Sequence, residues 1–307
     1  MDQYNLDQYN KAMLFTRGQV IVGIFSITAH LPLWACRGMG RVLGFLLWAT
    51  PNRSRSTTVK NIALCFPELC PKAQQRLVFS SLQHTGMLTF EVAPIWQKPY
   101  KWLEKYLLHI ENKQLFDQAQ EKPQGLIILL PHLGNWEIFS RFIPAQCDAI
   151  GLYEPPAFPE LEKLIKNSRE KTGASMVPTN SRGVAALLKY LRKGGTTCIL
   201  PDQVPTQKDR GGVFAPFFGH PAYTMTLVNQ LQQRTACTVI GATAKRVSKG
   251  FVIRFWQVDN SVYQSDELTA ATAVNAMVEA SVRDAPEQYQ WEYKRFRRVP
   301  PGGTRLY

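Results

Sequence analysis

The chain has 307 residues, of which 45% are hydrophobic and 19% charged. This is the composition of a globular protein with a sizeable core and excludes a disordered chain. A formal net charge of +13, from 36 Lys+Arg against 23 Asp+Glu, points to an anionic partner: nucleic acid, a membrane surface, or an acidic protein or lipid.

The first feature along the chain is a stretch without formal charge between Arg17 and Arg37. It nearly reaches the roughly 20 residues of a bilayer-crossing helix, although Gln19, His30 and Pro32 interrupt it. A second apolar run, residues 42–49, is too short to span. A signal peptide fits poorly, because Asp2 and Asp7 precede the apolar run and no small-x-small cleavage site follows. Lys11 and Arg17 lie before the run, and Arg37, Arg41, Arg53, Arg55 and Lys60 lie after it. That bias favours a cytoplasmic body. Residues 1–60 are therefore expected to form a membrane anchor with a basic flank, spanning or deeply embedded, with Trp34 and Trp48 at the interface. The alternative is a buried core hairpin. Residues 61–307 are expected to form the catalytic domain.

Within that domain, residues 71–96 carry Leu77, Leu82, Met87 and Leu88 at helical spacing. Residues 125–130 are a short, wholly apolar run that suits a buried strand. Pro131 to Asn135 break it, and residues 136–143 return to helix. Strand character recurs at 148–153. A helix opens at Pro159 and stops at Gly173, and another covers 184–191. Residues 196–200 form a further strand, cut by Pro201-Asp202-Gln203. Residues 238–247 and 251–258 read as a hairpin around Ser248, Lys249 and Gly250, and residues 267–283 as a helix. Strands alternating with helices predict an α/β domain. No G-x-G-x-x-G follows a strand and no G-x-x-x-x-G-K-[ST] occurs, so nucleotide binding has no motif behind it. Nucleic-acid binding likewise lacks a helix-turn-helix, zinc-finger or RNA-recognition signature. The six cysteines show no metal-site spacing.

Sites in open α/β sheets lie just past the carboxyl ends of strands. His132 stands there, two residues after Leu130, and Glu137 follows with four residues between them. A carboxylate on the first helical turn would fix the imidazole tautomer and stabilise the imidazolium. The other ring nitrogen is then free to take a proton from an incoming hydroxyl. Gly134 and Asn135 would offer amides near a helix N-terminus to a developing oxyanion. His30, His84, His109 and His220 have no comparable setting. A Ser nucleophile in a G-x-S-x-G elbow is absent.

Pro131-His132-Leu133-Gly134-Asn135-Trp136-Glu137 resembles the His-x4-Asp/Glu motif of the late acyltransferases of lipid A biosynthesis. Five further segments agree in order: Tyr153 with Pro155, Arg169 before Gly173, Leu200 to Gln203, Val213 to Gly219, and Glu287 to Phe296. The resemblance implies a glycerol-phosphate-acyltransferase-like α/β fold, a mixed sheet flanked by helices with an N-terminal membrane-anchoring helix. It implies His132 as general base, Glu137 as its partner, and Gly134, Asn135, Arg169 and Asp202 for the oxyanion and substrate. The donor would be acyl carrier protein, without metal or redox cofactor. The acceptor would be a hydroxyl of a Kdo-bearing lipid A precursor, at the cytoplasmic face of the bacterial inner membrane. The basic residues near the apolar segment would meet anionic head groups. Lys294, Arg295, Arg297 and Arg298 would bind substrate phosphates or the carrier protein, or be a solvated face. An acyl-thioester hydrolase, or an acyltransferase acting on another glycolipid or a lysophospholipid, remains open.

Overall fold

The computed structural model describes residues 18–153, 159–170, 173, 175–205 and 211–307, without the side chains at 163, 166, 167, 169 and 170. The uncharged N-terminal stretch is two helices rather than one. Helix α1 covers 18–28. Pro32 then sets the extended backbone from which α2 (Leu33–Ala49) starts, since proline lacks the N–H that a continuous helix needs. No helix among the described residues is long and apolar enough to cross a membrane. The expected spanning anchor therefore finds no support among the described residues, where Pro32 divides the uncharged stretch.

Helix α3 (Arg53–Cys65) begins where the Asn52 side chain accepts from the Arg55 amide. It is tied to the body of the protein, because Asn61 donates to the carbonyls of Trp291 and Tyr293. The expected boundary at residue 60 therefore falls inside a helix that belongs to the domain. Helix α4 (Pro71–Gln97) opens with proline in its first turn, the position where the missing N–H costs nothing.

Helix α2 lies tightly against α4 because three glycines remove the side chains between them. A Cβ on Gly40 would stand 2.3 Å from the Met87 Cα, and one on Gly86 would stand 2.1 Å from the Gly40 carbonyl oxygen. Gly86→Ala is accordingly expected to push the helices apart and lower stability by about 1–3 kcal/mol, the usual cost of overpacking, measured as a fall in the urea midpoint. The opposite face of α2 is open: Trp34, Val42, Phe45 and Leu46 are all exposed large apolar side chains.

Beyond a short helix α5 (Tyr100–Glu104), the chain alternates strands and helices: β1 (Leu107–Glu111), α6 (Lys113–Gln120), β2 (Leu126–Leu129), α7 (Phe139–Gln146), β3 (Ala149–Tyr153), α8 (Pro159–Glu170), β4 (Ser175–Pro178), α9 (Ser181–Leu191) and β5 (Thr196–Ile199). A two-stranded hairpin follows, β6 (Gly212–Phe217) and β7 (His220–Met225), then α10 (Leu227–Thr235), β8 (Thr238–Val247), β9 (Gly250–Gln257) and α11 (Glu267–Asp284). Seven strands form the main sheet in the order β1-β9-β8-β2-β5-β3-β4. Every pairing in it is parallel except the β8–β9 hairpin. The mixed α/β architecture is as expected.

Strand β2 sits at the centre. Ile127 and Leu129 enter one hydrophobic core, while Leu126 and Ile128 enter the other. Burial on both faces is the reason its sequence is a continuous apolar run.

Candidate active site

Parallel register brings the site together. Leu129 on β2 is level with Ile199 on the neighbouring β5. His132 and Asp202 each lie three residues further on, so the two chains deliver them side by side. His132 Nδ1 meets Asp202 Oδ1 at 2.7 Å, and the other carboxylate oxygen accepts the His132 backbone N–H at 2.8 Å. Two bonds to one carboxylate fix both the ring and its backbone. Asp202 is buried, which disfavours its charge. The adjacent His132, the two hydrogen bonds and Arg295 nevertheless hold its carboxyl below the usual range. The Tyr289 phenol is pushed well above its ordinary value by burial and by the Asp202 charge, so it keeps its proton.

The carboxylate on His132 is thus Asp202, where Glu137 was expected. Glu137 lies on a short 3-10 turn (Trp136–Ile138) and accepts the Trp96 indole N–H at 2.8 Å. Trp136, next to Glu137 in the chain, packs its ring edge-on to His132 with centroids 4.8 Å apart. The spacing in the sequence suited a pairing across a first α-helical turn. The chain instead spends 133–135 crossing to β8 before it coils.

That crossing also removes the expected oxyanion donors. The Gly134 amide donates to the Gln288 carbonyl, and the Asn135 amide to that of Ala244. Gly134 has a φ of +63°, and a Cβ there would stand 2.1 Å from the Ala244 oxygen. Glycine is needed for that close approach, not for a substrate. The amide group that does face the imidazole belongs to Gln203, whose Nε2 is 3.1 Å from His132 Nε2. With Nδ1–H given to Asp202, Nε2 carries the lone pair and accepts from Gln203. Arg169 lies on α8, and its side chain is outside the described residues, as is Pro155.

Two cavities adjoin here. One of about 540 Å³ is lined by His132, Gln203, Thr179, Gln230, Met225 and Leu227, among others. A smaller one of about 120 Å³ is walled by apolar groups such as Phe139, Ile143 and Met176, with Glu137 also lining it. Leu152, Cys198 and Leu200 line both. His132 therefore opens onto a cavity that shares a wall with an apolar slot.

Two expected binding residues are committed elsewhere. Arg37 is buried and paired with Glu91 at 2.7 Å. Arg295 is buried and donates to the Tyr223 carbonyl and the Thr224 hydroxyl. Neither is available to a lipid head group. Among the described residues no cluster of three or more His, Cys, Asp or Glu could hold a metal ion.

Past the end of the central parallel strand, a histidine held by a carboxylate lines the larger cavity, which shares a wall with an apolar slot. Residues 8–298 match the model of the bacterial lipid A biosynthesis acyltransferases, and the chain belongs to that family. It is 25% identical over 304 residues to the lipid A biosynthesis lauroyltransferase of Escherichia coli, covering 97% of this chain and 98% of that one. The palmitoleoyltransferase of the same organism is 25% identical over 290 residues, 93% of this chain and 92% of its own. The myristoyltransferase is 22% identical over 285 residues, 88% and 82% respectively. Acyl transfer in lipid A biosynthesis is the activity of that family, and this chain is an acyltransferase of it.

Proposed function

We propose that the chain moves a fatty acyl group from acyl carrier protein to a hydroxyl of a Kdo-bearing lipid A precursor, with His132 as general base and Asp202 as its orienting partner. The observation that carries this reading is the Nδ1–Asp202 bond, which leaves Nε2 as the basic nitrogen facing the larger cavity. The acceptor hydroxyl takes the place of the Gln203 amide and gives its proton to Nε2. The oxygen attacks the thioester carbonyl, and the displaced Gln203 N–H is within reach of the oxyanion that forms. The intermediate collapses with loss of the thiolate, which takes the proton back from the imidazolium. General-base assistance of this kind is worth about 10²–10⁴-fold. The apolar walls of the two cavities suit the hydrocarbon chains, and Glu137 places its charge at the smaller one.

The test is transfer of labelled acyl groups from acyl carrier protein to a Kdo-bearing lipid A precursor. Labelled lipid as product supports the proposal. Release of free fatty acid with no labelled lipid would move the assignment to a hydrolase.

The chain would reach its lipid from the membrane surface, at the cytoplasmic face of the inner membrane. The exposed apolar face of α2, with exposed Arg41, Arg53 and Arg55 beside it, has the make-up of an interfacial element that lies on a bilayer. Replacing Trp34 and Phe45 together by serine is expected to abolish co-sedimentation with vesicles containing anionic phospholipid. Raising the salt should weaken binding of the unaltered protein.

A further inference from the structure

Behind the turn that carries His132 lies a buried group of charges that the reaction does not use. Glu91, on α4, is fully buried. Arg37 on α2 reaches one of its oxygens at 2.7 Å, and Arg246 on β8 reaches the other at 2.7 Å. Asn135 donates to that second oxygen at 3.0 Å. Arg246 also reaches the Gly134 carbonyl at 3.4 Å. Burial disfavours the Glu91 charge, but the two guanidiniums hold its carboxyl below the ordinary range. His84 accepts from Arg246 at 3.0 Å and stays neutral, its own value lowered to about 3 by burial and by that neighbour.

The connections run one way. Arg37 is rooted in the β8–β9 turn, donating to the carbonyls of Val247, Ser248 and Gly250. Glu91 is rooted in α4, the longest helix among the described residues. Both links from this group to the catalytic turn, through Asn135 and through Arg246, end on residues two and three positions after His132. The Asn135 side chain itself is wholly buried, and its Oδ1 has no hydrogen-bond partner among the described residues. A buried amide left half-satisfied costs stability compared with an apolar side chain of the same shape. Packing alone therefore does not account for an amide there.

We propose that Glu91 is a positioning residue for acyl transfer: through Asn135 and Arg246 it holds the 132–135 turn so that the imidazole keeps both its bond to Asp202 and its aim into the cavity. This rests on His132 being the base. Asn135→Leu cuts one link and leaves Glu91 paired with both arginines. Arg246→Lys keeps the charge beside Glu91 and shortens the reach to Gly134. Each is expected to lower kcat about tenfold, with KM within twofold and the unfolding midpoint within a few degrees of the unaltered protein. The double variant is expected to lose about 100-fold. The Nδ1 proton shared by His132 and Asp202 should exchange faster with water in the double variant, as seen by proton NMR. A double variant that turns over within twofold of the unaltered enzyme, or that raises KM alone, would overturn the proposal. An enzyme with no transfer activity before substitution, whose Nδ1 proton still responds, would instead count against the assigned reaction and leave the positioning intact.

Discussion

Asp202→Asn is expected to lower kcat for acyl transfer by about 10⁴-fold, the size that a wrong tautomer costs in a Ser-His-Asp triad. An asparagine at 202 can offer its amide N–H to His132 Nδ1, which drives the ring proton to Nε2. The nitrogen facing the cavity then has no lone pair for the hydroxyl. Shape and hydrogen bonding are nearly kept, so KM should change little. Acid stability should change as well, and its direction follows from the lowered carboxyl of Asp202. A carboxylate whose value is depressed by folding stabilises the native state above the unfolded value, about pH 4. That contribution is lost as the pH falls through the lower folded value. The asparagine variant should therefore lose less stability than the unaltered protein as the pH falls below about 4. Steady-state kinetics and acid titration of the unfolding midpoint measure the two effects.

Glu91→Leu is expected to cost about 3–5 kcal/mol of stability, because it leaves two buried guanidiniums with no counter-charge. Arg37 and Arg246 are each 5% exposed and Glu91 not at all, so water cannot take over. The physical cause is the unpaired charge and not lost packing, which makes a second result follow. Replacing Arg37 and Arg246 by methionine together with Glu91→Leu should recover part of the loss, since apolar groups of similar volume often match a buried ion network in stability, less what the carbonyls of Val247, Ser248 and Gly250 lose with the Arg37 donors. Urea unfolding measures both. The same triple replacement should stay poor in turnover if the network positions the catalytic turn.

The central strand was legible because burial on both faces demands the unbroken run of residues 125–130, and the site was legible as the place where that run stops. His132 followed from this position together with the His-x4-Glu motif that the chain shares with the family it resembles. Its partner did not, because Asp202 lies 70 residues away and meets the imidazole only through the parallel pairing of β2 with β5. Strand order is not written in local spacing, and the nearer carboxylate, Glu137, fitted a helical turn that the chain does not form at once. A signal was present all the same: Asp202 stands as far past the apolar run at 196–200 as His132 does past its own. Gly134 and Asn135 carried the appearance of an oxyanion site, yet their amides are consumed where the turn is stitched to β8. The uncharged N-terminal stretch had nearly the length of a membrane span, and Pro32 divides it. Glu91, Arg37 and Arg246 gave no signal, since charges scattered over three elements look like solvated faces until the fold brings them together.

The most direct test of the account is a pair of double-variant cycles on kcat, joining His132→Ala first with Asp202→Asn and then with Glu137→Gln. If Asp202 acts through the imidazole, Asp202→Asn costs nothing further once His132 is alanine, whereas any loss from Glu137→Gln persists there. If instead the Glu137→Gln loss vanishes on the His132→Ala background while the Asp202→Asn loss remains, Glu137 is the partner of the base and the assignment of Asp202 is wrong.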